Sequence, residues 1–546
     1  MKNSIAFLFL SLLVFTSCNS EKKTEKKPKL VVGIVIDQMR YDYLTRFADK
    51  YGEDGFKRIL KNGFSLENAH YNYIPTYTAV GHTSIYTGTT PDNHGIIGNN
   101  WYDKFAKKWI YCVDDSTYTS VGSEKGGKKS PYRMQTTTIT DQLRLAQNMN
   151  GKTISIAIKD RSAVLPGGHT ANGAFWFEGN TQGKWITSSF YMNSLPTWAS
   201  DFNSSEKVDE YLSKPWNTLY DINTYTESME DDNAFETKFK GKDKPVFPYD
   251  IPSLKEKNGN YDMIKTTPAG NSFTTDFVKA AIIGENLGQS EYTDFLAISY
   301  STPDYIGHQF GVASKEVQDN YLRLDRDLAS LFSFLDTKVG KGNYTLFLTA
   351  DHAVVQVPSY LQSQKIPAHY ISSRKLKSYV NSITLKHFKS DKLVESISNF
   401  QVFLNKENIA SLKLDANTVA QKIVDEVINF DKIYKAVTAR TMQTTHFTSG
   451  ILQKLQQGYN QKFSGDVLLI PLPSTLSSSY RTGTSHGSGY NYDTHVPIIF
   501  YGNGVKPGVS KKAYTVTDIA PTIANLLQIE FPNGTTGQIV DEALKK

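Results

Sequence analysis

Cysteine is close to absent: the chain has two, Cys18 and Cys112. No disulfide framework can hold a chain with so few, and a zinc site built from several thiolates is excluded. Any metal must be held mainly by imidazole and carboxylate. Long apolar runs are missing beyond the first seventeen residues, so nothing in the body reads as a membrane-spanning helix. Charge of one sign is scarce as well. Of the formal +6, residues 1–29 supply +4 from six Lys and two Glu, which leaves +2 for the rest. That balance gives no argument for a nucleic-acid partner. No internal repeat is seen. Aromatics are plentiful, with 32 Tyr and 29 Phe in 546 residues. A chain of this kind buries a large core and is not disordered.

The N-terminus reads MKNSIAFLFLSLLVFTSCNSEKKTEKKPK. Lys2 followed by the apolar run Ile5–Phe15 forms a secretory signal too short to span a membrane. Thr16-Ser17-Cys18 resembles a bacterial lipobox, with Phe15 where that pattern has Leu. Residues 1–18 are therefore expected to be a signal and 19–29 a charged tether. Cys18 is expected to carry a lipid anchor in the membrane, on a periplasmic or outer-membrane-anchored lipoprotein of a bacterium. Plain cleavage to a soluble exported protein is the alternative.

From residue 30 the pattern changes. Leu30–Ile36 is apolar and β-branched, as in a strand buried on both faces. Similar runs recur at 154–158, 294–300, 344–349, 467–470 and 496–501. Helical periodicity fills 136–149, 273–287, 314–335, 416–430 and 517–527. This alternation predicts an α/β sandwich with a mostly parallel central sheet flanked by helices, a single catalytic domain over 30–546. Two stretches break it, about 170–270 and about 360–465, and are expected to be insertions that cap the sheet.

Open α/β sheets bind ligands at the carboxyl ends of their strands. Asp37 follows the first strand, Asp304 and His308 follow the run ending at Tyr300, and Asp351 and His352 follow the run ending at Thr349. His486 lies in the loop before Val496. Asp304 and His308 are four apart, so a helical turn puts both on one face. Carboxylate and imidazole without thiolate suit zinc sites with open positions. Six such ligands exceed the need of one tetrahedral ion, and a pair of ions suits in-line displacement at phosphorus. The segment 73–88, YIPTYTAVGHTSIYTG, carries eight hydroxyls. One of these, placed at the start of a helix near Ala79 and beside a metal, would become a competent nucleophile. Residue chemistry does not choose among Thr76, Thr78, Thr83 and Ser84.

The blocks VVGIVIDQMR (31–40), PTYTAVGHTSIYTG (75–88), HGIIGNNWYD (94–103), IKDRSAVLPGGH (158–169), STPDYIGH (301–308), TADH (349–352) and GTSHGSGYNYDTHVP (483–497) resemble the alkaline phosphatase superfamily. They are most similar to its PafA-type, phosphate-irrepressible members. The resemblance implies a two-zinc phosphomonoesterase acting on small-molecule phosphate monoesters through a phosphothreonine intermediate, with a broad substrate range. It implies that Thr78 is the nucleophile, on the zinc held by Asp37, Asp351 and His352. A second zinc falls to Asp304, His308 and His486, and the phosphoryl oxygens to Asn99, Lys159 and Arg161. Lys159 and Arg161, two apart on an extended segment, are expected to point the same way, as a pair of cations suited to a phosphate dianion. His82 and His94 are read as structural, and Asp493 and His495 as orienting groups. A sulfatase would need a Cys or Ser in a C/S-x-P-x-R context, and residues 76–82 offer none. The alternatives are a nucleotide pyrophosphatase or phosphodiesterase of the same superfamily, and a non-catalytic surface lipoprotein that binds metal or glycan.

Overall fold

The computed structural model describes residues 27–545; the signal and most of the tether lie outside the described residues. Ten strands form the central sheet: β1 (Leu30–Ile36), β2 (Phe64–His70), β3 (Ser120–Val121), β4 (Thr153–Ala157), β5 (Gly173–Glu178), β6 (Lys184–Ser188), β7 (Asp294–Tyr300), β8 (Tyr344–Thr349), β9 (Ile498–Gly502) and β10 (Gly508–Thr515). Their order is β10-β2-β9-β8-β1-β7-β4-β5-β6-β3. The middle five, β8-β1-β7-β4-β5, are mutually parallel. Antiparallel pairings flank them on both sides.

The parallel core explains the continuous apolar runs. Every residue of β1, β7 and β8 is buried, because helices cover both faces of the sheet. The helices that matter for the site are α1 (Thr78–Thr87), α2 (Asp160–Gly167), α3 (Ala269–Gly284), α4 (Thr302–Phe310) and α5 (Lys315–Leu335). Ser314 caps α5 by accepting a hydrogen bond from the Val317 N–H, and the three- and four-residue apolar spacing read from the sequence faces the core. Gly288, with φ +73°, follows the end of α3 by a few residues.

Register sets the site. Ile36 pairs with Tyr300 and Val35 with Thr349, and Ala157 pairs with Ser299. Asp37, Asp304, Asp351 and Lys159 therefore leave four neighbouring strands at the same carboxyl edge.

Three sequence expectations need correction. Val467–Ile470 reads like a core strand, but Val467–Pro471 belongs to a separate four-stranded antiparallel sheet with Val394–Ser398, Gln401–Leu404 and Ile433–Thr438. Helices Ser373–Phe388 and Ala416–Val427 pack on that sheet around their own apolar core. This second lobe runs past the expected end at 465, since a buried apolar run carries no mark of which sheet it joins. The segment 170–270 is not all cap either, because its first part supplies β5 and β6 to the central sheet. The aromatic runs GAFWFE and KWITS pack there against α3 through Phe175, Phe177 and Trp185. Finally, Lys159 and Arg161 do not share an extended segment. Lys159 is extended (φ −82°, ψ 129°), and α2 begins at Asp160.

Candidate active site

The structure gathers all six candidate ligands. Asp304 and His308 sit one helical turn apart on α4, with Asp304 Oδ1 3.0 Å from His308 Nε2. His486 Nε2 lies 3.6 Å from the same oxygen. On the other side, His352 Nε2 lies 3.6 Å from Asp37 Oδ1 and 3.5 Å from Asp351 Oδ2. The His352 and His486 rings stack face to face. Two sets of ligand atoms each lie within 4.8 Å of one another: Asp304, His308 and His486, and Asp37, Asp304 and His352. Asp304 belongs to both. Asp351 falls outside the second set but borders it through His352.

Every donor in this cluster is oriented. Nδ1–H of His308 donates to the Thr484 carbonyl (2.8 Å), that of His486 to the Thr76 carbonyl (2.7 Å), and that of His352 to the Ala353 carbonyl (3.1 Å). The His352 and His486 rings thus turn a bare Nε2 lone pair toward the carboxylates, while His308, raised against the cost of burial by the charge of Asp304, sets its Nε2 in a hydrogen bond with that carboxylate. Burial, followed by the neighbouring His486, drives His352 well below the usual imidazole range, and burial takes His486 down to about 3. Both are neutral, as ligation requires. Burial pushes Asp351 up to about 7. Burial and then the charge of Asp351 raise Asp37 well above the carboxylate range. Burial also opposes ionisation of Asp304, but His308 and Lys159 outweigh it and hold its carboxyl well below that range.

The donor set fits divalent cations. Asp37 Oδ1, Asp351 Oδ2 and His352 Nε2 are buried and have no hydrogen-bond partner among the described residues. Leaving such groups unsatisfied costs about 1–3 kcal/mol each. With His352 and His486 neutral, their Nε2 atoms at 3.5–3.6 Å from Asp37, Asp351 and Asp304 set lone pair against lone pair, which a positive centre between them relieves. Oxygen and nitrogen ligands without thiolate are the set zinc uses at catalytic sites.

Thr78 is the first residue of α1, one position earlier than the sequence indicated, after an extended Tyr77. It is almost fully buried. Arg161 Nη2 lies 3.4 Å from Thr78 Oγ1. The Ala79 N–H donates to Asn99 Oδ1 (2.8 Å), which fixes the start of the helix and leaves the Asn99 amide NH2 as a donor. Gly81 lets α1 lie directly on the end of β8, since a Cβ there would fall 2.0 Å from the Asp351 carbonyl oxygen. Lys159 Nζ sits 2.7 Å from Asp37 and 2.5 Å from Asp304, where the two ligand sets meet. Arg161 is steered by Tyr111, whose hydroxyl accepts from Nη1 (3.1 Å) and donates to Asp160. Its Nε–H is buried with no partner among the described residues.

The bystanders are placed as structural groups. His82 bridges the Thr78 carbonyl and Ser299 Oγ, both at 2.9 Å. His94 Nε2 meets Ser84 Oγ at 2.9 Å. Asp493 accepts from the N–H (2.8 Å) and hydroxyl (2.6 Å) of Ser488, which pins the loop that carries His486. His495 holds the Glu67 carbonyl and stacks on Tyr41. Cys112 is a buried free thiol pushed up to about 12 by burial.

Sequence reasoning missed Gln38. Its N–H donates to Asp351 Oδ1 (3.1 Å) and its side-chain amide to Asp304 Oδ1 (2.6 Å), tying two ligand carboxylates from different strands. It does so from a left-handed backbone, φ +67°, that no local residue pattern announces. Gly307 makes room, since a Cβ there would fall 1.9 Å from Gln38 Oε1.

The type I phosphodiesterase / nucleotide pyrophosphatase family matches residues 31–495. A protein of Myroides odoratus named calcium-transporting ATPase is 45% identical over the whole of both chains. Alkaline phosphatase PhoV of Synechococcus elongatus is 44% identical over the whole of both chains. Alkaline phosphatase PafA of Elizabethkingia meningoseptica is 42% identical over 98% of each. A crystal structure of wild-type PafA superposes with a TM-score of 0.92, covering 95% of this chain and 99% of that one. With its alkaline-phosphatase-like α/β fold and full-length likeness to PafA and PhoV, the chain belongs to the type I phosphodiesterase / nucleotide pyrophosphatase family.

Proposed function

We propose that the protein is an exported two-zinc alkaline phosphatase that releases inorganic phosphate from a broad range of phosphate monoesters through a phosphothreonine intermediate. The observation that carries this reading is Thr78 Oγ1 at the start of α1, touched by Arg161, on a helix that Gly81 seats directly against Asp351. The likeness to two alkaline phosphatases supports it. The calcium-transporting ATPase is named for a phosphohydrolase too, but no helix among the described residues is long and apolar enough to cross a membrane.

Asp37, Asp351 and His352 would hold one ion beside Thr78, and Asp304, His308 and His486 the other. Bound zinc supplies Lewis-acid charge that lowers the proton affinity of nearby oxygens and offsets the charge of the phosphoryl group. The chain does the rest. The Asn99 amide, Lys159 and Arg161 hold the phosphoryl oxygens. Thr78 Oγ attacks phosphorus in line as the ester P–O bond breaks, and the alcohol leaves. Water then attacks the phosphothreonine, restoring the hydroxyl and freeing phosphate. Without cations the cluster sets Asp304 and the burial-raised Asp37 and Asp351 against Lys159 and Arg161; two divalent ions would displace the carboxyl protons and leave it strongly positive, as a dianion requires. Export through residues 1–18, and a lipid anchor at Cys18 facing the periplasm or the outside, complete the proposal.

The family match favours a second reading, a phosphodiesterase or nucleotide pyrophosphatase. Charge separates the two. A monoester dianion gains from two fixed cations, whereas a diester has one charge and a second ester group to seat. Lys159→Ala and Arg161→Ala are expected to lower kcat/KM for an aryl monoester by about 10²-fold or more, as loss of a transition-state charge contact does, and for the matching diester by much less. Equal losses, or faster diester turnover by the parent protein, would favour the second reading.

A further inference from the structure

Beside Thr78 the main body and the second lobe enclose a groove of about 1130 Å³, part of it open to solvent. Tyr77 and Asn99 are among its lining residues, so it reaches the immediate neighbours of Thr78. Trp109, Leu376, Ile397 and Phe400 form much of the rest. None of its twelve lining residues is charged. Trp109 comes from the hairpin of strands Asn100–Asp103 and Lys108–Tyr111 and is 56% exposed. Phe400 comes from the other side and also borders an adjoining cavity that reaches Tyr77 and His486.

The placement of Phe400 is costly. Ser398 pairs with Gln401, so Asn399 and Phe400 are the two central residues of a tight hairpin. Both have left-handed backbones, φ +50° and +58°. Asn-Gly is the pair that usually fills such a turn, because glycine carries no Cβ penalty. A phenyl ring here opposes the local preference, the pattern that marks a side chain kept for what it touches. Asn399 Nδ2 donates to the Asn100 carbonyl (2.8 Å), which locks the turn to the residue after Asn99.

We infer that this groove is the leaving-group site, and that within a broad range of esters Trp109 and Phe400 favour those whose alcohol is an uncharged aromatic ring. The inference rests on the monoesterase reading and adds the class of substrate. An aromatic ring in the groove gains stacking and apolar contact from both walls. A leaving group with a further phosphate or carboxylate would be desolvated with no cation opposite it.

The test compares phenyl phosphate with methyl phosphate, and phenylphosphonate with methylphosphonate as non-hydrolysable probes. Trp109→Ala on the exposed hairpin, and Phe400→Gly, which relieves the turn, are the variants. In each, the phenyl-to-methyl ratio of kcat/KM should fall about three- to tenfold, the worth of one aromatic pair. The phenylphosphonate-to-methylphosphonate affinity ratio from calorimetry should fall in step. Phe400 also packs against the apolar core of the second lobe, so turnover of methyl phosphate near that of the parent is the control that separates ring loss from unfolding. Ratios unchanged in both variants would overturn the inference, as would equal loss for phenyl and methyl compounds. If the parent turns over neither ester, the monoesterase reading fails, and the phosphonate affinities still decide whether the groove takes an aromatic ring.

Discussion

Thr78→Ala should lower turnover of a phosphate monoester by about 10³- to 10⁶-fold, the range seen when an enzyme loses its nucleophile. The substitution removes only a hydroxyl and a methyl from a buried site whose helix is fixed by the Ala79–Asn99 hydrogen bond. The candidate ligands that follow β1, β7 and β8 are held by the strands and by α4 rather than by Thr78. Metal content and thermal midpoint should therefore stay near those of the parent. Acid-quenched parent enzyme should carry a phosphoryl group detectable by intact-mass analysis, and the variant none. Thr78→Ser, which keeps an attacking oxygen, should retain far more activity than Thr78→Ala. A Thr78→Ala protein with more than a tenth of parental turnover would rule out the covalent route.

The second large effect is expected at Asp304. Its carboxylate is almost fully buried and meets His308, His486, Gln38 and Lys159. It also belongs to both ligand sets. Asp304→Ala should therefore cost both ions and about 10³-fold or more in turnover, on the scale of losing a principal transition-state charge contact. It also leaves Lys159 facing Asp37 alone in a buried place. Breaking a buried pair by removing one partner costs about 3–5 kcal/mol. That loss should appear in denaturant unfolding of the chelated protein. Asp304→Asn keeps an acceptor oxygen for Gln38 and Lys159, so it should recover part of the stability and none of the activity. Full activity in Asp304→Asn would show that the carboxylate is not a ligand.

Much of this site is legible in the sequence for one reason. Asp37, Asp304 and Asp351 each follow an apolar β-branched run, and parallel strands deliver whatever follows them to a common edge. The α4 turn that pairs Asp304 with His308 follows from their spacing. The convergence of His486 needed the motif blocks, since its loop crosses from another part of the chain. Gln38 was not legible, because its role depends on a left-handed φ next to a strand end. Nor was the geometry of Lys159 and Arg161: alternation on a strand and the first turn of a helix can bring the same two residues to one place. The fold was read least well where local pattern is shared between architectures. Val467–Ile470 looks the same in either sheet, and the aromatic strands β5 and β6 lack the β-branched run that revealed β1. The second lobe emerged only from the pairing of its strands, and the groove it forms with the Trp109 hairpin is a product of tertiary packing.

Six side chains are expected to hold two divalent cations beside Thr78. Elemental analysis of the purified protein, paired with monoester turnover before and after chelation, tests this most directly. Two zinc equivalents per chain, lost together with activity on chelation and restored together on adding zinc, are the expected result. Full turnover by protein stripped of divalent metal would contradict it.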